Sequence, residues 1–127
     1  MEKLIKDSSA KTPQIAFDAE AGKLESKGRS IPENSLDFYI PLKLWVDDYL
    51  KSPQIKTILD VKLEYFNTSS SKCILDIFKK LESLTKSGFE VEINWYYEAD
   101  DDDMHEAGED YQAIVKVPFH LVEVSSF

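Results

Sequence analysis

The sequence predicts a small α/β domain: a mixed sheet with an N-terminal hairpin and a parallel βαβ unit, packed by helices. Three observations carry that prediction. Residues 57–66, "TILDVKLEYF", and 89–97, "FEVEINWYY", alternate apolar and polar positions as strands do. Between them Cys73, Ile74, Ile77, Phe78, Leu81 and Leu84 recur at helical spacing. Strand, helix and strand in direct succession make a right-handed crossover between parallel strands.

The elements follow in order. A single domain over 1–127 is expected, with the polar residues 1–11 frayed. Ile15–Phe17 and Leu24–Ile31 read as short strands joined by "DAEAGK", in which Gly22 supplies the turn. "PEN" at 32–34 breaks the pattern and offers Asn34 or Ser35 as a helix cap. Residues 35–51 are helical in pattern but contain Pro41, so either the helix kinks there or it begins there. Phe38, Leu42, Trp45 and Tyr49 would form its core face, widened by Val46 and Leu50. Leu36, Ile40 and Leu44 fall instead among charged residues, where they are free to meet a partner.

In strand 57–66, Leu59, Val61, Leu63 and Tyr65 share one side and Ile58 and Phe66 the other. A helix over 70–87 ends at Lys86-Ser87-Gly88, with cations near its negative end and a glycine to stop it. The acidic stretch 98–110, "EADDDDMHEAGED", reads as a loop or short helix. "VKVPFHLVEV" closes the chain as a strand whose Pro118 suits an edge.

Charge excludes some function classes. Lys and Arg number 15 against 24 Asp and Glu, a net charge of −9. Nucleic acid and anionic membranes need the opposite surplus. The start "MEKLIKDSSAK" shows no long apolar run, so a cytoplasmic protein is expected, with no membrane contact. The lone Cys73 reads as small core filler. Only four glycines are present, and no phosphate-binding loop, nucleophile elbow or zinc spacing is evident. His120 sits in a strand-like run and is expected to be partly buried. His105 lies among carboxylates, and a triad of Ser70, His105 and an Asp would have to be assembled in space. The expectation is no enzyme, no cofactor and no metal site.

The most unusual stretch is "YFNTSSSK", where four hydroxyl residues, Thr68 to Ser71, follow Asn67. One cap needs one hydroxyl. In a βαβ unit this turn lies at the carboxyl edge of the sheet, where α/β proteins keep their sites, and the following helix N-terminus offers free N–H donors. A phosphate on Thr68 would find partners there without refolding the domain. The simplest reading is that Asn67, Thr68 or Ser69 caps the helix and the rest are solvated. Parallel strands also send the acidic stretch out from the same edge. Its ordinary meaning is a solvated charge run, and its spacing does not match an EF-hand.

The chain resembles the SiaC family of bacterial regulatory phosphoproteins, whose fold is similar to the STAS domain of anti-sigma factor antagonists. The resemblance is carried by "TPQIAFDAEAGKLESKGRSIPEN", "IPENSLDFYIPLKLWVDDYL", "LEYFNTSSSKCILDIFKKLE" and "VEINWYYEADDDDMHEAGEDY", which span most of Thr12 to Tyr111. It implies a STAS-like domain in which Thr68 is phosphorylated by a partner Ser/Thr kinase and dephosphorylated by a metal-dependent Ser/Thr phosphatase. It further implies that the unphosphorylated form binds and activates a diguanylate cyclase. Asn67, Ser69, Ser70 and Ser71 would support the turn, Ser69 sharing the cap with Thr68 while Ser70 and Ser71 keep the first helical turn small. Candidate partner contacts are Tyr65, Phe66, Leu36, Ile40, Leu44, Asp101, Asp102, Asp103 and Glu106. Two other readings stand beside this one: a constitutive protein-binding scaffold, and an acidic domain that binds divalent cations through Asp100 to Asp103.

Overall fold

The computed structural model describes residues 1–127. Six strands form one sheet in sequential order: β1 (Leu4–Lys6), β2 (Gln14–Asp18), β3 (Lys23–Ser30), β4 (Lys56–Phe66), β5 (Glu90–Glu98) and β6 (Phe119–Val124). β1, β2 and β3 pair antiparallel, and β3 through β6 pair parallel. Each parallel step is bridged by one helix: α1 (Ser35–Tyr49), α2 (Thr68–Glu82) and α3 (Asp102–Ile114). Successive crossovers of one hand, all stepping the same way, put every helix on one face. On that face Ile15, Phe17, Leu24, Leu59, Val61, Leu63, Val91, Ile93, Trp95 and Phe119 are buried. The other face is polar. Asn94 donates to Asp60 at 2.9 Å, and Lys62 approaches Glu25 at 3.9 Å and the Tyr96 ring at 5.0 Å.

The predicted hairpin and crossover are both present, with Gly22 at φ +65° in the hairpin turn. Gly88, at φ +88°, stops the short 3-10 turn Ser83–Ser87 that continues α2. Pro118 immediately precedes β6, which is an edge strand as expected.

Three expectations are corrected, and for the acidic stretch one of two alternatives is resolved. The N-terminal residues are not all frayed: Leu4–Lys6 pairs with Ile15–Phe17, and the Trp45 indole donates to the Glu2 carbonyl at 2.9 Å. α1 does not begin at Pro41, which lies inside it on the exposed side, and the buried face is Ser35, Tyr39, Leu42, Val46 and Tyr49. Phe38 and Trp45 are only half-buried; Trp45 stacks on Tyr49 with centroids 5.5 Å apart. The acidic stretch is mostly helix. Asp101 caps it, Asp102 and Asp103 suit the positive end of its dipole, and Met104, Gly108 and Tyr111 give it a buried stripe. His120 is exposed and lies 3.5 Å from Glu92.

A bulge in β4 changes what its last residues face. Partners step from Gly28–Leu63 to Arg29–Tyr65, leaving Glu64 as the extra residue. Alternation therefore reverses after Leu63. Tyr65, expected inward, is 52% exposed, whereas Phe66 turns in to meet Trp95 and Tyr111 at centroid distances of 5.9 and 6.3 Å.

α3 sits close to the sheet because Gly108 has no side chain. A Cβ there would lie 2.5 Å from Trp95 Cδ1 and 2.7 Å from Leu121 Cδ2. Alanine normally gains about 1 kcal/mol over glycine inside a helix, but overpacking against buried groups costs roughly 1–3 kcal/mol. Gly108→Ala is therefore expected to lower the urea midpoint. A raised midpoint would mean that α3 shifts outward without penalty.

Candidate functional site

The three helices begin at the same edge of the sheet, each entered by the same local device. Asn34, Asn67 and Asp101 hold extended or near-extended backbone, and their side-chain oxygens accept from Asp37 N at 3.2 Å, Ser70 N at 2.9 Å and Met104 N at 3.0 Å. Asn67, not Thr68 or Ser69, is thus the cap of α2. An amide side chain at this position leaves the hydroxyls that follow free for other work.

Counting protons shows what that work is, since each hydroxyl has one to give. The Ser70 hydroxyl donates to the Ser30 carbonyl at 3.1 Å, and the Ser30 hydroxyl donates to Ser70 Oγ at 2.9 Å. Tyr39, 2.6 Å from Ser30 Oγ, must then be the donor of that pair. Ser69 donates to Asn67 Oδ1 at 3.2 Å, so Ser35, at 2.6 Å, donates to Ser69. Ser71 donates to the Thr68 carbonyl at 2.7 Å. Asn67 N also reaches the Ser30 carbonyl at 2.9 Å. This network joins the end of β3 to the starts of α1 and α2. Ser30 and Ser70 are fully buried, and burial pushes the Tyr39 hydroxyl up to about 12.

Thr68 is the exception. It is exposed, and its hydroxyl makes no hydrogen bond within the protein, while the N–H groups of Thr68 and Ser69 lie in the unpaired first turn of α2. It lines an open groove between α1 and α2 with Glu33, Leu36, Lys43, Lys72 and Asp76. Lys43 is fixed by Asp76 at 2.8 Å, and that hydrogen bond raises its pKa. Lys72 stands one turn beyond Thr68, exposed, with no carboxylate in ion-pair range. A second groove lies beside the first along the same edge, lined by Tyr65, Phe66, Asp101, Asp103, Met104 and Ala107.

The family profile described as SiaC family regulatory phosphoprotein matches residues 5–124. This chain belongs to the SiaC family. An uncharacterized protein of Pseudomonas aeruginosa (strain UCBPP-PA14) is 34% identical over 110 residues, which are 87% of each chain. The crystal structure of apo-SiaC from Pseudomonas aeruginosa superimposes with a TM-score of 0.88 at 34% identity, covering 96% of this chain and 99% of that one. SiaC in the crystal structure of the diguanylate cyclase SiaD with its activator, also from Pseudomonas aeruginosa, gives 0.90 at 32% identity, covering 95% and 99%.

Within this SiaC-family fold the sequence-derived candidates fall in two grooves and on the exposed sides of α1 and α3. Thr68 and Leu36 share the first groove; Tyr65, Phe66, Asp101 and Asp103 share the second. Leu36, Ile40 and Leu44 are 62%, 48% and 60% exposed along one stripe of α1, and Asp102 and Glu106 are exposed on α3. Ser70 is buried inside the network and so is not a surface for a partner, whereas Ser71 is half-buried and bonds back to the Thr68 carbonyl. Ser70 meets no histidine: His105 lies against Tyr97 and Glu109, so the triad is not assembled. Asp100 to Asp103 line an open depression with Glu98, but no group of three His, Cys, Asp or Glu side chains is arranged to hold a metal ion. Sequence reasoning missed Ser30, Tyr39 and Lys72. Tyr39 falls four residues after Ser35, a spacing that places both on one helical face, but nothing local shows that a strand end completes the network.

Ser70→Ala removes both a donor and an acceptor from a buried site, and is expected to cost about 1–3 kcal/mol in urea unfolding. Thr68→Ala should stay within about 0.5 kcal/mol of the parent. Equal losses would place Thr68 inside the network. Stability also depends on pH through Tyr39. Below pH 10 both states keep its proton; above it the unfolded chain ionises first, so stability falls as pH rises towards about 12. Tyr39→Phe should flatten that alkaline decline, measured as urea midpoint against pH.

Proposed function

We propose that this protein is a non-catalytic regulatory protein switched by reversible phosphorylation at Thr68. A partner Ser/Thr kinase transfers the terminal phosphoryl group of a nucleoside triphosphate to Thr68 Oγ1, with the hydroxyl proton leaving to a base of the kinase. A metal-dependent Ser/Thr phosphatase hydrolyses the phosphoester, restoring the hydroxyl and releasing inorganic phosphate. The unmodified form binds and activates a diguanylate cyclase of the kind that SiaC of Pseudomonas aeruginosa activates. The kinase step needs a nucleoside triphosphate, which argues for a cytoplasmic protein.

One observation carries this reading: of the four hydroxyls in the turn, only that of Thr68 is both exposed and unused. The mechanism is exclusion by charge. Phosphorylation adds about −1.5 to −2 charge at neutral pH to an edge that already presents Glu33, Asp101 and Asp103. The α2 N-terminus and Lys72 can hold that charge in place, so the fold need not change. A partner covering the edge must then desolvate a dianion, and a loss of only ~1.4 kcal/mol weakens binding tenfold. A constitutive scaffold would leave the free threonine without a task.

Phosphosite mapping by mass spectrometry, on protein purified from its native cells under phosphatase inhibition, should find the phosphate at Thr68 and at none of Ser69, Ser70 or Ser71. Thr68→Ala should bind the cyclase constitutively, and Thr68→Asp at least tenfold more weakly. Equal affinities would end the exclusion mechanism. An unmodified Thr68 under every growth condition would end the switch itself.

A further inference from the structure

The second groove has a chemistry of its own. Its floor is apolar: Met104 is buried, and Phe66 and Ala107 are half-buried. One wall is the Tyr65 side chain, thrown outward by the β4 bulge. The rim carries Asp101 and Asp103, and the flanking turn adds Glu98, Asp100 and Asp102. None of these five carboxylates lies in ion-pair range of a lysine, arginine or histidine of this chain. The dipole of α3 offsets only about half a charge.

That combination selects its occupant by elimination. An anion is repelled. A metal ion lacks three converging ligands. A wholly apolar side chain would bury carboxylates without partners, which is costly. A side chain with an apolar stem and a cationic head satisfies floor and rim together. Between the two cationic residues, arginine is favoured, because its planar guanidinium can stack on Tyr65 while donating to a carboxylate in a bidentate fashion.

We infer that the groove of Tyr65, Phe66, Met104, Ala107, Asp101 and Asp103 receives an arginine side chain of a protein partner. The assignment rests on the reading of this edge as a docking edge and names the chemistry that a partner brings to it. It also separates two roles along the edge: the first groove carries the modification, the second the anchor.

The test uses a minimal probe, N-acetylarginine methylamide, titrated into unmodified protein and followed by NMR. Saturable shifts are expected at the amides of Phe66, Met104 and Ala107. The Trp95 indole N–H should move with them, since it donates to the Met104 carbonyl at 2.9 Å. The lysine analogue should shift the same signals more weakly, and the uncharged citrulline analogue not at all. Asp101→Asn with Asp103→Asn should abolish the shifts, and the cap survives because asparagine caps as well as aspartate. A matched urea midpoint would show that the variant is folded. Absent shifts, shifts spread evenly over the acidic surface, or equal response to arginine and citrulline would each overturn the inference. The probe is read on unmodified protein, so failure to find phosphate on Thr68 would remove the switch and leave this result standing.

Discussion

The chain of hydroxyls from Tyr39 through Ser30 to Ser70 is the constraint on which the rest of the edge depends. Three crossovers could pack their helices at many angles against the sheet, and apolar contact is tolerant of small rotations. A buried hydroxyl is not, because losing its partner costs more than the bond gains. The strand end β3 and the first turns of α1 and α2 are therefore held in one relative position. No buried side-chain nitrogen or oxygen is left without a partner. The network also explains why the turn carries so many hydroxyls. Ser69 and Ser70 reach across to other elements, Ser71 bonds along its own helix, and Thr68 alone faces solvent with its proton unspent.

The edge presents two grooves of different chemistry on either side of a short link, Phe66-Asn67-Thr68. One mixes Lys43 and Lys72 with Glu33 and Asp76 beside the free N–H groups of a helix start; the other has carboxylates over an apolar floor. Asn67 stands between them and is bonded on both sides, through its side chain to Ser70 and through its N–H to Ser30. The contrast arises from the same motif used twice. An Asx residue caps each helix, but α2 is followed by neutral hydroxyls and α3 by two further aspartates. In the second groove the cap Asp101 and Asp103 after it supply the charge, whereas in the first it comes from Glu33, Lys43, Lys72 and Asp76.

Much of this was legible in the sequence where a pattern is local. The alternation of 57–66 and 89–97, the helical spacing after Ser71 and the glycine at 88 each specify an element through near neighbours. The errors fall where a distant group decides. Tyr65 and Phe66 exchange faces because a register slip against Gly28 and Arg29 on another strand inserts Glu64. Leu4–Lys6 is ordered by β2 and by an indole on α1, neither of which is visible in a polar N-terminus. For 98–110 the sequence left loop and helix both open, because a glycine in the middle of a dense charge run concealed the stripe of Met104, Gly108 and Tyr111. The glycine is there because Trp95 occupies the space a side chain would need. Thr68 is proposed as the modified residue on resemblance, whereas showing that its hydroxyl is the available one required the positions of Ser30, Ser35 and Tyr39.

The pinning of Phe66, Asn67 and Ser70 bears on how quickly such a protein can respond. Phe66 is wedged among aromatic rings, Asn67 is held by capping bonds and Ser70 by buried ones, so Thr68 is mounted on a firm support. On the proposed switch, modification there would need no refolding of the turn. The time taken to change state would then be set outside the molecule, by turnover of the two modifying enzymes and by the residence time of the partner. A domain built this way stores no memory of its last state beyond the covalent mark itself.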